Sequence, residues 1–173
     1  ICLKSTLIDE TWVSTDDDEI EEICLKLGCN IHRRNINTGT DTATSDSVIL
    51  DFLSSKKYDS NNYNLLFIQA TNPFVFPEDL DSALLKFNSS HYDMMIGVNK
   101  THNFIWRENK EGDIYLVNTK VRRRQDAPKE FLENGSYYIY DIKKFYDGKL
   151  NKIGYNINTS KIFVDIDEHF DLE

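Results

Sequence analysis

Residues 65–87 read L-L-F-I-Q-A-T-N-P-F-V-F-P-E-D-L-D-S-A-L-L-K-F, and this stretch decides the fold. Leu65 to Gln69 is a short apolar run with one polar end, which is typical of a buried strand. Pro77 indicates a helix start, because a residue in the first helical turn has no partner for a backbone N–H. The apolar residues after it recur at helical spacing, namely Leu80, Ala83, Leu84 and Phe87. The stretch therefore predicts a buried strand followed by an amphipathic helix.

The same strand-then-helix order recurs on both sides of this stretch. Strands are indicated at Glu10 to Ser14, at Cys29 to His32 and, downstream, at Tyr92 to Val98. Two upstream helices are predicted from apolar side chains at helical spacing, which are Ile20, Ile23, Cys24 and Leu27 in the first and Val48, Ile49, Phe52 and Leu53 in the second. Asp16 is the predicted cap of the first helix. This alternation predicts an α/β fold with a mostly parallel sheet and helices on both faces.

The alternation stops after the downstream strand. Phe104 to Trp106 and Ile114 to Val117 predict two short strands around a Gly112-Asp113 turn, which form a hairpin-like excursion within about 100–132. The remaining predicted elements are a turn at Asn134-Gly135-Ser136, a strand at Ser136 to Tyr140, a helix at Ile142 to Tyr146 and a strand at Ile162 to Asp165. We predict a single domain over residues 1–173.

Composition limits the classes of partner. The chain carries 20 Lys and Arg against 29 Asp and Glu, a formal net charge of −9, so we expect no nucleic-acid partner. No apolar run approaches the roughly 20 residues of a membrane helix, so we expect no membrane partner either. The first ten residues lack a signal-peptide pattern, which favours a cytoplasmic protein. The K-V-R-R-R cluster at 120–124 would permit nuclear import in a eukaryote.

Three polar residues at predicted strand ends could carry chemistry, because open parallel sheets bind ligands there. Asp165 and Asp167 are two positions apart, so their side chains point the same way, and paired carboxylates suit Mg²⁺. On spacing alone a solvated acidic turn is the better explanation, because the chain has 29 acidic residues. Gln69 ends an apolar strand with an amide that both donates and accepts, which suits a sugar or a carboxylate. A strand-end amide that bonds a neighbouring loop is an equal alternative.

Arg122, Arg123 and Arg124 form the densest positive cluster in the sequence. Guanidinium groups bind carboxylates and phosphates bidentately, although a solvated loop or an import signal would use the same residues. The three Cys and four His show no metal-ligand spacing, and we interpret the His as structural or surface residues. The sequence holds no G-x-S-x-G, Walker A or G-x-G-x-x-G pattern, which argues against covalent nucleophilic catalysis.

Five motifs, taken in order, resemble those of the acylneuraminate cytidylyltransferases, or CMP-sialic acid synthetases. They are V-S-T-D-D-D-E-I at 13–20, H-R-R at 32–34 with D-T-A-T-S at 41–45, I-Q-A-T-N-P at 68–73, R-R-Q-D at 123–126 with E-N-G-S-Y-Y at 133–138, and V-D-I-D at 164–167. The resemblance spans nearly the whole chain and is nearest to the animal-type enzymes. It implies a Rossmann-like, three-layer αβα nucleotide-diphospho-sugar transferase fold.

The resemblance also implies roles for particular residues. It assigns Arg34, Ala43 and Ser45 to cytosine and ribose, Asp165 and Asp167 to Mg²⁺ on the triphosphate, and Gln69, Thr71, Arg124 and Tyr138 to the sugar acid, with Asp165, Asp167, Gln69 and Arg124 as the catalytic set. The implied reaction joins CTP to a nine-carbon 2-keto acid, a sialic acid, and releases pyrophosphate. A homodimer is implied as well, in which the 100–132 excursion reaches the partner's site, so that Arg124 would act there in trans.

One departure from the family pattern concerns the start of the chain. The family opens with a strand and an R-x-G-S-K…K-N loop, whose backbone N–H groups and basic side chains cradle the triphosphate. No such residues precede Ile1, so we expect a fragment without the central strand and the phosphate loop. Phe74-Val75-Phe76 also stands where many bacterial relatives have Leu-Arg. Two alternatives stay open: a non-catalytic dimerising homologue, and a cytidylyltransferase for another keto sugar acid.

Overall fold

The computed structural model describes residues 1–35, 37–40, 43–56, 58, 60, 62–117, 123–126, 128–159 and 166, with Arg124 described by its backbone alone. In chain order the elements are β1 (Trp12–Thr15), α1 (Asp18–Lys26), β2 (Asn30–Arg33), α2 (Ser45–Lys56), β3 (Asn64–Ile68), α3 (Pro77–Asn88), β4 (Met94–Thr101), β5 (Trp106–Glu108), β6 (Ile114–Leu116), β7 (Glu130–Asp141), α4 (Ile142–Tyr146) and β8 (Ile153–Ile157). Short 3-10 turns occur at Cys2–Lys4 and Arg124–Asp126.

Within the described residues, the strands form one four-stranded sheet and two strand pairs. β1 pairs in parallel with β2, and β5 pairs antiparallel with β6. The larger sheet has the order β3-β7-β4-β8, in which β4 and β8 are parallel and β7 is antiparallel to both of its neighbours. The α/β class is confirmed, but the described sheets are mixed rather than mostly parallel. The chain returns from β4 to β7 through the β5–β6 hairpin, and this return brings β7 into the sheet in the opposite direction.

Helices cover both faces of the larger sheet. Because successive strand residues face opposite sides, neighbouring residues of β7 belong to different apolar clusters. Tyr137 and Ile139 pack on the α3 side, together with the buried residues Leu80, Ala83, Leu84, Phe87 and Met95. Tyr140 packs on the other side, with Ile49 and Leu53 of α2 and Ile142 of α4. The predicted core face of α3 is therefore confirmed, as is the helix–sheet–helix arrangement.

The start of α1 differs from the prediction by one residue. Asp17, not Asp16, caps the helix, since Oδ1 of Asp17 accepts a hydrogen bond from the N–H of Ile20 at 2.9 Å. Asp17 has the extended backbone of a cap residue, with φ −92° and ψ 128°. Ile20 and Ile23 of α1, and Leu27 directly after it, are exposed in this structure rather than packed in a core.

Two strands depart from the sequence-based assignment. β8 was not predicted, because its exposed residues are apolar (Ile153, Tyr155 and Ile157) whereas Gly154 and Asn156 are buried. β7 is longer than the predicted Ser136 to Tyr140 strand. The predicted strand at Ile162 to Asp165 lies outside the described residues.

Aromatic contacts attach the β1–β2 pair to α2. The ring of Trp12 lies 5.8 Å from that of Phe52 between centroids, and Nζ of Lys56 lies 3.8 Å from the centre of the Trp12 ring. The indole N–H of Trp12 and the hydroxyl of Tyr58 both donate to Glu10. None of the helices within the described residues has the length and apolar character to cross a membrane.

Candidate functional site

The carboxyl ends of β3, β4 and β8 lie at one edge of the four-stranded sheet, because all three strands run in the same direction. Ligands of open α/β sheets bind beyond such an edge. Gln69 follows β3 directly and is half-buried. Its backbone N–H donates to the carbonyl of Ser136 at 3.4 Å, which extends the β3–β7 ladder by one residue. Gln69 therefore lies at the end of a strand, as the sequence predicts.

A wide bulge in β7 shapes this edge. Four residues, Asn134–Tyr137, stand opposite the single residue Gly97 of β4. Gly135 has φ 64°, a conformation that glycine adopts without steric cost. A Cβ on Gly97 would lie 2.5 Å from Oγ of Ser136 and 3.0 Å from Oδ1 of Asn134, so the two strands need a glycine there to come this close. The E-N-G-S motif is a bulge within β7, and the predicted turn into a strand is wrong.

The bulge directs Asn134 and Ser136 into a buried polar network. Oδ1 of Asn134 accepts from Oγ of Ser136 at 2.6 Å, and its Nδ2 donates to Oδ1 of Asn99 at 2.9 Å. Nδ2 of Asn72 donates to the carbonyl of Asn134 at 2.8 Å, and Nδ2 of Asn158 donates to Oγ of Ser136 at 3.0 Å. Buried polar groups are costly unless paired, so this network fixes the β3 loop against β4, β7 and the end of β8.

Thr71 connects this edge to the V-D-I-D motif. The N–H of Ile166 donates to the carbonyl of Thr71 at 2.8 Å. Ile166 stands between Asp165 and Asp167 in the sequence, and these two predicted metal ligands lie outside the described residues. The contact therefore brings the residue between the two aspartates to the loop that follows Gln69.

Arg34 lies just beyond β2, beside the end of β1. Its N–H donates to the carbonyl of Thr15 at 2.9 Å, and its Nη2 donates to the carbonyl of Ser14 at 2.6 Å. Nε of Arg34 is buried and has no hydrogen-bond partner among the described residues. A buried donor without a partner costs free energy, so an acceptor from a ligand would be stabilised at this position. This fits the base-binding role that the resemblance implies for Arg34.

His32 is buried next to Arg34. Its Nδ1 lies 3.0 Å from Oγ of Ser14, and its Nε2 lies 3.7 Å from Oδ2 of Asp51. Burial is the main reason why the pKa of His32 falls below the ordinary value of 6.5. The carboxylate of Asp51 opposes this shift in pKa, whereas the positive charges of Lys56 and Arg34 add to it. The neutral imidazole is therefore the favoured form in the folded protein.

The loop between Arg34 and α2 carries the two other predicted nucleotide residues. Ala43 is half-buried in the loop, and Ser45 is exposed as the first residue of α2. Oγ1 of Thr44 accepts from the N–H of Ser47 at 3.2 Å and so caps the first turn. The structure thus places Ala43 and Ser45 at a helix start that follows Arg34, and their contact with a nucleotide stays a prediction.

Tyr138 lies on the sheet face that carries α2. Its hydroxyl donates to Oε1 of Glu133 at 2.6 Å, and its ring packs beside that of Phe67 at 6.3 Å between centroids. Glu133 lines a cavity of about 270 Å³, together with Ile96, Val98, Phe131, Ile153, Gly154 and Tyr155. Tyr138, which is predicted to contact the sugar acid, is therefore hydrogen-bonded to a carboxylate in the wall of an open cavity.

A larger cavity of about 390 Å³ lies between α2 and the end of α4. Its lining residues are Asp46, Leu50, Phe145, Tyr146, Gly148, Leu150 and Asn151. Asp46 follows the predicted residue Ser45, but neither Arg34 nor Gln69 belongs to this lining. We therefore place the candidate site by its polar groups and not by cavity size.

Arg124 begins a short 3-10 turn, and its side chain lies outside the described residues. Residues 120–122 of the K-V-R-R-R cluster also lie outside the described residues. Whether the protein resides in the cytoplasm or in the nucleus stays a prediction. Within the part of the chain that the structure describes, no three His, Cys, Asp or Glu side chains gather as a metal site.

Comparison with known proteins now identifies the family. The model of the cytidylyltransferase family matches residues 2–167, which is nearly the whole chain. The chain belongs to the cytidylyltransferase family. It is 33% identical over 172 residues to N-acylneuraminate cytidylyltransferase B of Danio rerio, a match that covers 95% of this chain and 40% of that protein. This cytidylyltransferase chain thus spans about 40% of the length of that relative.

Solved structures confirm the fold. The 4-diphosphocytidyl-2C-methyl-D-erythritol synthase of Anaerococcus prevotii matches with a TM-score of 0.69 and 13% identity, over 98% of this chain and 78% of that one. A CMP:2-keto-3-deoxy-manno-octonic acid synthetase complexed with CTP matches with a TM-score of 0.61 and 13% identity, over 94% and 78% of the two chains. These likenesses show that the cytidylyltransferase chain has the predicted Rossmann-like nucleotidyltransferase fold.

Sequence reasoning missed the polar residues that organise the site. Asn99, Asn158 and Glu133 were not singled out, and His32 was set aside as structural or surface. One sequence pattern could have drawn attention to Asn158. In G-Y-N-I-N at 154–158, small or polar residues alternate with apolar ones. The alternation indicates a strand, but it does not show that the polar side is the buried one.

The stability of the protein should fall as the pH drops below about 6.5, partly through His32. The unfolded chain binds a proton on this residue near pH 6.5, whereas the folded chain resists protonation until a lower pH, so acid favours unfolding. Urea unfolding at pH 7.5 and 5.5 measures the effect, and His32→Asn should reduce the difference in the free energy of unfolding between the two pH values. The same substitution at exposed His91 is the control, and equal behaviour of both variants would contradict the assignment.

Proposed function

We propose that this chain is the nucleotide- and sugar-binding part of an N-acylneuraminate cytidylyltransferase, which converts CTP and a sialic acid to CMP-sialic acid and pyrophosphate. The meeting of three motifs at one sheet edge carries the proposal. Asn72 of I-Q-A-T-N-P bonds Asn134 of E-N-G-S, and Thr71 bonds Ile166 of V-D-I-D. These segments are distant in sequence, and hydrogen bonds join them where open α/β sheets bind ligands.

Arg34 supplies the donor for the cytosine base in this proposal. Its Nη2 and backbone N–H are bonded to β1, so the guanidinium is held before a ligand arrives. Its buried Nε has no partner among the described residues, and a base carbonyl or ring nitrogen would satisfy it. Ala43 and Ser45, at the start of α2, complete the base and ribose contacts.

The sugar acid binds between the sheet edge and the cavity beside Tyr138. Glu133 repels a carboxylate, so the sugar hydroxyls or amide N–H groups face the Tyr138–Glu133 pair. The sugar carboxylate then faces Gln69 and Arg124, with Thr71 nearby. An amide and a guanidinium both donate hydrogen bonds to carboxylate oxygens.

The chain's own residues contribute to the reaction by positioning and charge neutralisation. The anomeric hydroxyl loses its proton to solvent, and its oxygen forms a bond to the α-phosphorus while the bond to the pyrophosphate oxygen breaks in line. Gln69 and Tyr138 orient the sugar, and Arg34 orients the nucleotide. Asp165 and Asp167 are the donor set that Mg²⁺ prefers, and a bound Mg²⁺ would neutralise charge on the phosphates.

We also propose a homodimer formed through the β5–β6 hairpin. Apolar and aromatic side chains of the hairpin and its flank are exposed, namely Trp106, Ile114, Tyr115 and Val117. Several exposed apolar and aromatic side chains on one hairpin are typical of a protein interface. The R-R-Q-D motif follows the hairpin in sequence, so a partner subunit that covers the hairpin would lie near Arg124, which would then act in trans.

Pyrophosphate release tests the reaction. A form that also carries the family's phosphate-binding segment should release pyrophosphate from CTP rapidly only when Mg²⁺ and a sialic acid are both present. N-acetylneuraminate should exceed pseudaminate, legionaminate and an eight-carbon keto acid by about tenfold or more in kcat/KM, because a pocket discriminates by the contacts it makes in the transition state. Preference for another sugar acid would support the same reaction with a different sugar substrate. CMP binding without any turnover would favour the non-catalytic homologue.

Asp165→Asn should lower kcat about a hundredfold and weaken the Mg²⁺ dependence of CTP binding, because it removes one charge that holds the ion. Pyrophosphate release measures the first effect, and calorimetry of CTP binding with and without Mg²⁺ measures the second. Asp147→Asn, at an exposed position after α4, is the matched control. A near-normal rate and an unchanged Mg²⁺ response of Asp165→Asn would contradict the metal assignment.

Ile114→Asp should convert a dimer to a monomer, because it places a charge in an apolar interface. Light scattering during gel filtration measures the mass. Leu85→Asp is the control, since Leu85 is similarly exposed, at 60% against 66% for Ile114, but lies on α3. A monomeric wild type, or a dimer that survives Ile114→Asp, would remove the hairpin from the proposed interface.

A further inference from the structure

Ser14 links the guanidinium of Arg34 to the imidazole of His32. Ser14 and His32 are direct partners in the parallel β1–β2 pairing. The carbonyl of Ser14 accepts from Nη2 of Arg34 at 2.6 Å, while its hydroxyl lies 3.0 Å from Nδ1 of His32. Ser14 therefore contacts Arg34 through its backbone carbonyl and His32 through its side chain.

The ring of His32 is held in one orientation. It is only 4% exposed, and it meets the ring of Phe52 edge-on, with centroids 5.4 Å apart. Nε2 faces the carboxylate of Asp51 at 3.7 Å. A neutral ring with its proton on Nε2 is therefore favoured, and its Nδ1 then accepts the hydroxyl proton of Ser14.

The same carboxylate holds the loop that follows Arg34. Oδ2 of Asp51 accepts from Oγ1 of Thr38 at 3.3 Å and from the N–H of Asn35 at 3.4 Å. Asp51 lies on α2, so it ties this loop and His32 to one helix. Both ends of the connection to Arg34, the strand and the loop, are thus fixed.

We propose that His32, with Ser14 and Asp51, positions the guanidinium of Arg34 for an acceptor on a cytidine nucleotide. The inference rests on the proposed function and adds residues that do not touch the ligand. An arginine that is ordered in advance loses less conformational entropy on binding, so the nucleotide binds more tightly.

Protonation of His32 would break this arrangement. Nδ1 would become a donor, and the hydroxyl of Ser14 would have to turn in order to accept from it. The charged groups that face the ring are Asp51 and Lys56 of α2 and Arg34 beyond β2. A positive imidazole would add repulsion near the Arg34 guanidinium, so acid should weaken nucleotide binding.

The experiment measures CMP affinity by calorimetry, together with the order of the Arg34 side chain. Arg34→Met, His32→Leu and Ser14→Ala should each raise the Kd for CMP by about tenfold, and His32→Asn, which keeps an amide near the position of Nδ1, should raise it less. Arg33→Met is the matched control, because Arg33 is exposed and pairs with Asp18 and Glu21. It should leave the Kd unchanged.

A double variant separates positioning from general damage. His32→Leu should have no further effect on the Kd in the Arg34→Met background, because it acts through Arg34. The Nε–H signal of Arg34 in ¹⁵N NMR tests the same point without a ligand, and Ser14→Ala should speed its exchange with water. If the wild type binds CMP, two results would overturn the inference. One is that His32→Leu and Arg34→Met have additive effects on the Kd, and the other is that the Arg34 signal is unchanged in Ser14→Ala. A wild type that binds neither CMP nor CTP would overturn the proposed function and this inference together.

Discussion

Hydrogen bonds among polar groups that are buried at the edge of the central sheet hold its loops together, and the bulge of β7 is the feature that allows them. An unbroken β4–β7 ladder would have no place for the inward side chains of Asn134 and Ser136. The close approach of Gly97 makes that place, and Gly135 supplies the backbone conformation. The amides of Asn72 and Asn158 then tie two loops to the bulge. The shape of the candidate site is therefore a consequence of backbone geometry in one strand.

Much of the fold follows from apolar periodicity. The core face of α3 and the bounds of α4 agree with the sequence-based assignment, because local spacing and a proline or aspartate at the helix start fix them. The hairpin follows from the Gly112-Asp113 turn. The direction of β7 could not be predicted in this way, since strand direction depends on the path of the chain between strands and not on the strand's own residues. β8 could not be predicted from apolar periodicity, because its buried positions hold glycine and asparagine.

The candidate site was predictable only in part, and for a different reason. Gln69 was predictable because it ends an apolar strand, whereas the roles of Thr71 and Arg34 were implied by the resemblance of their motifs. The neighbours of Arg34 were not predictable, since Ser14, His32 and Asp51 come from three separate elements and meet only after folding. The position of a single histidine in the sequence does not show which side chains surround it after folding. The acidic composition was also a poor guide to the local charge, because it says nothing about where a guanidinium is buried.

The placement of the two tryptophans has a practical consequence for spectroscopy. Trp12 packs against Phe52 and under the ammonium group of Lys56, two positions before Ser14. Trp106 stands exposed on the β5–β6 hairpin. Since the chain has only these two indoles, the emission of a Trp106→Phe protein would come from the strand next to Arg34 alone. A Trp12→Phe protein would emit only from the hairpin, so one fluorimeter could follow ligand binding and subunit association as separate optical signals.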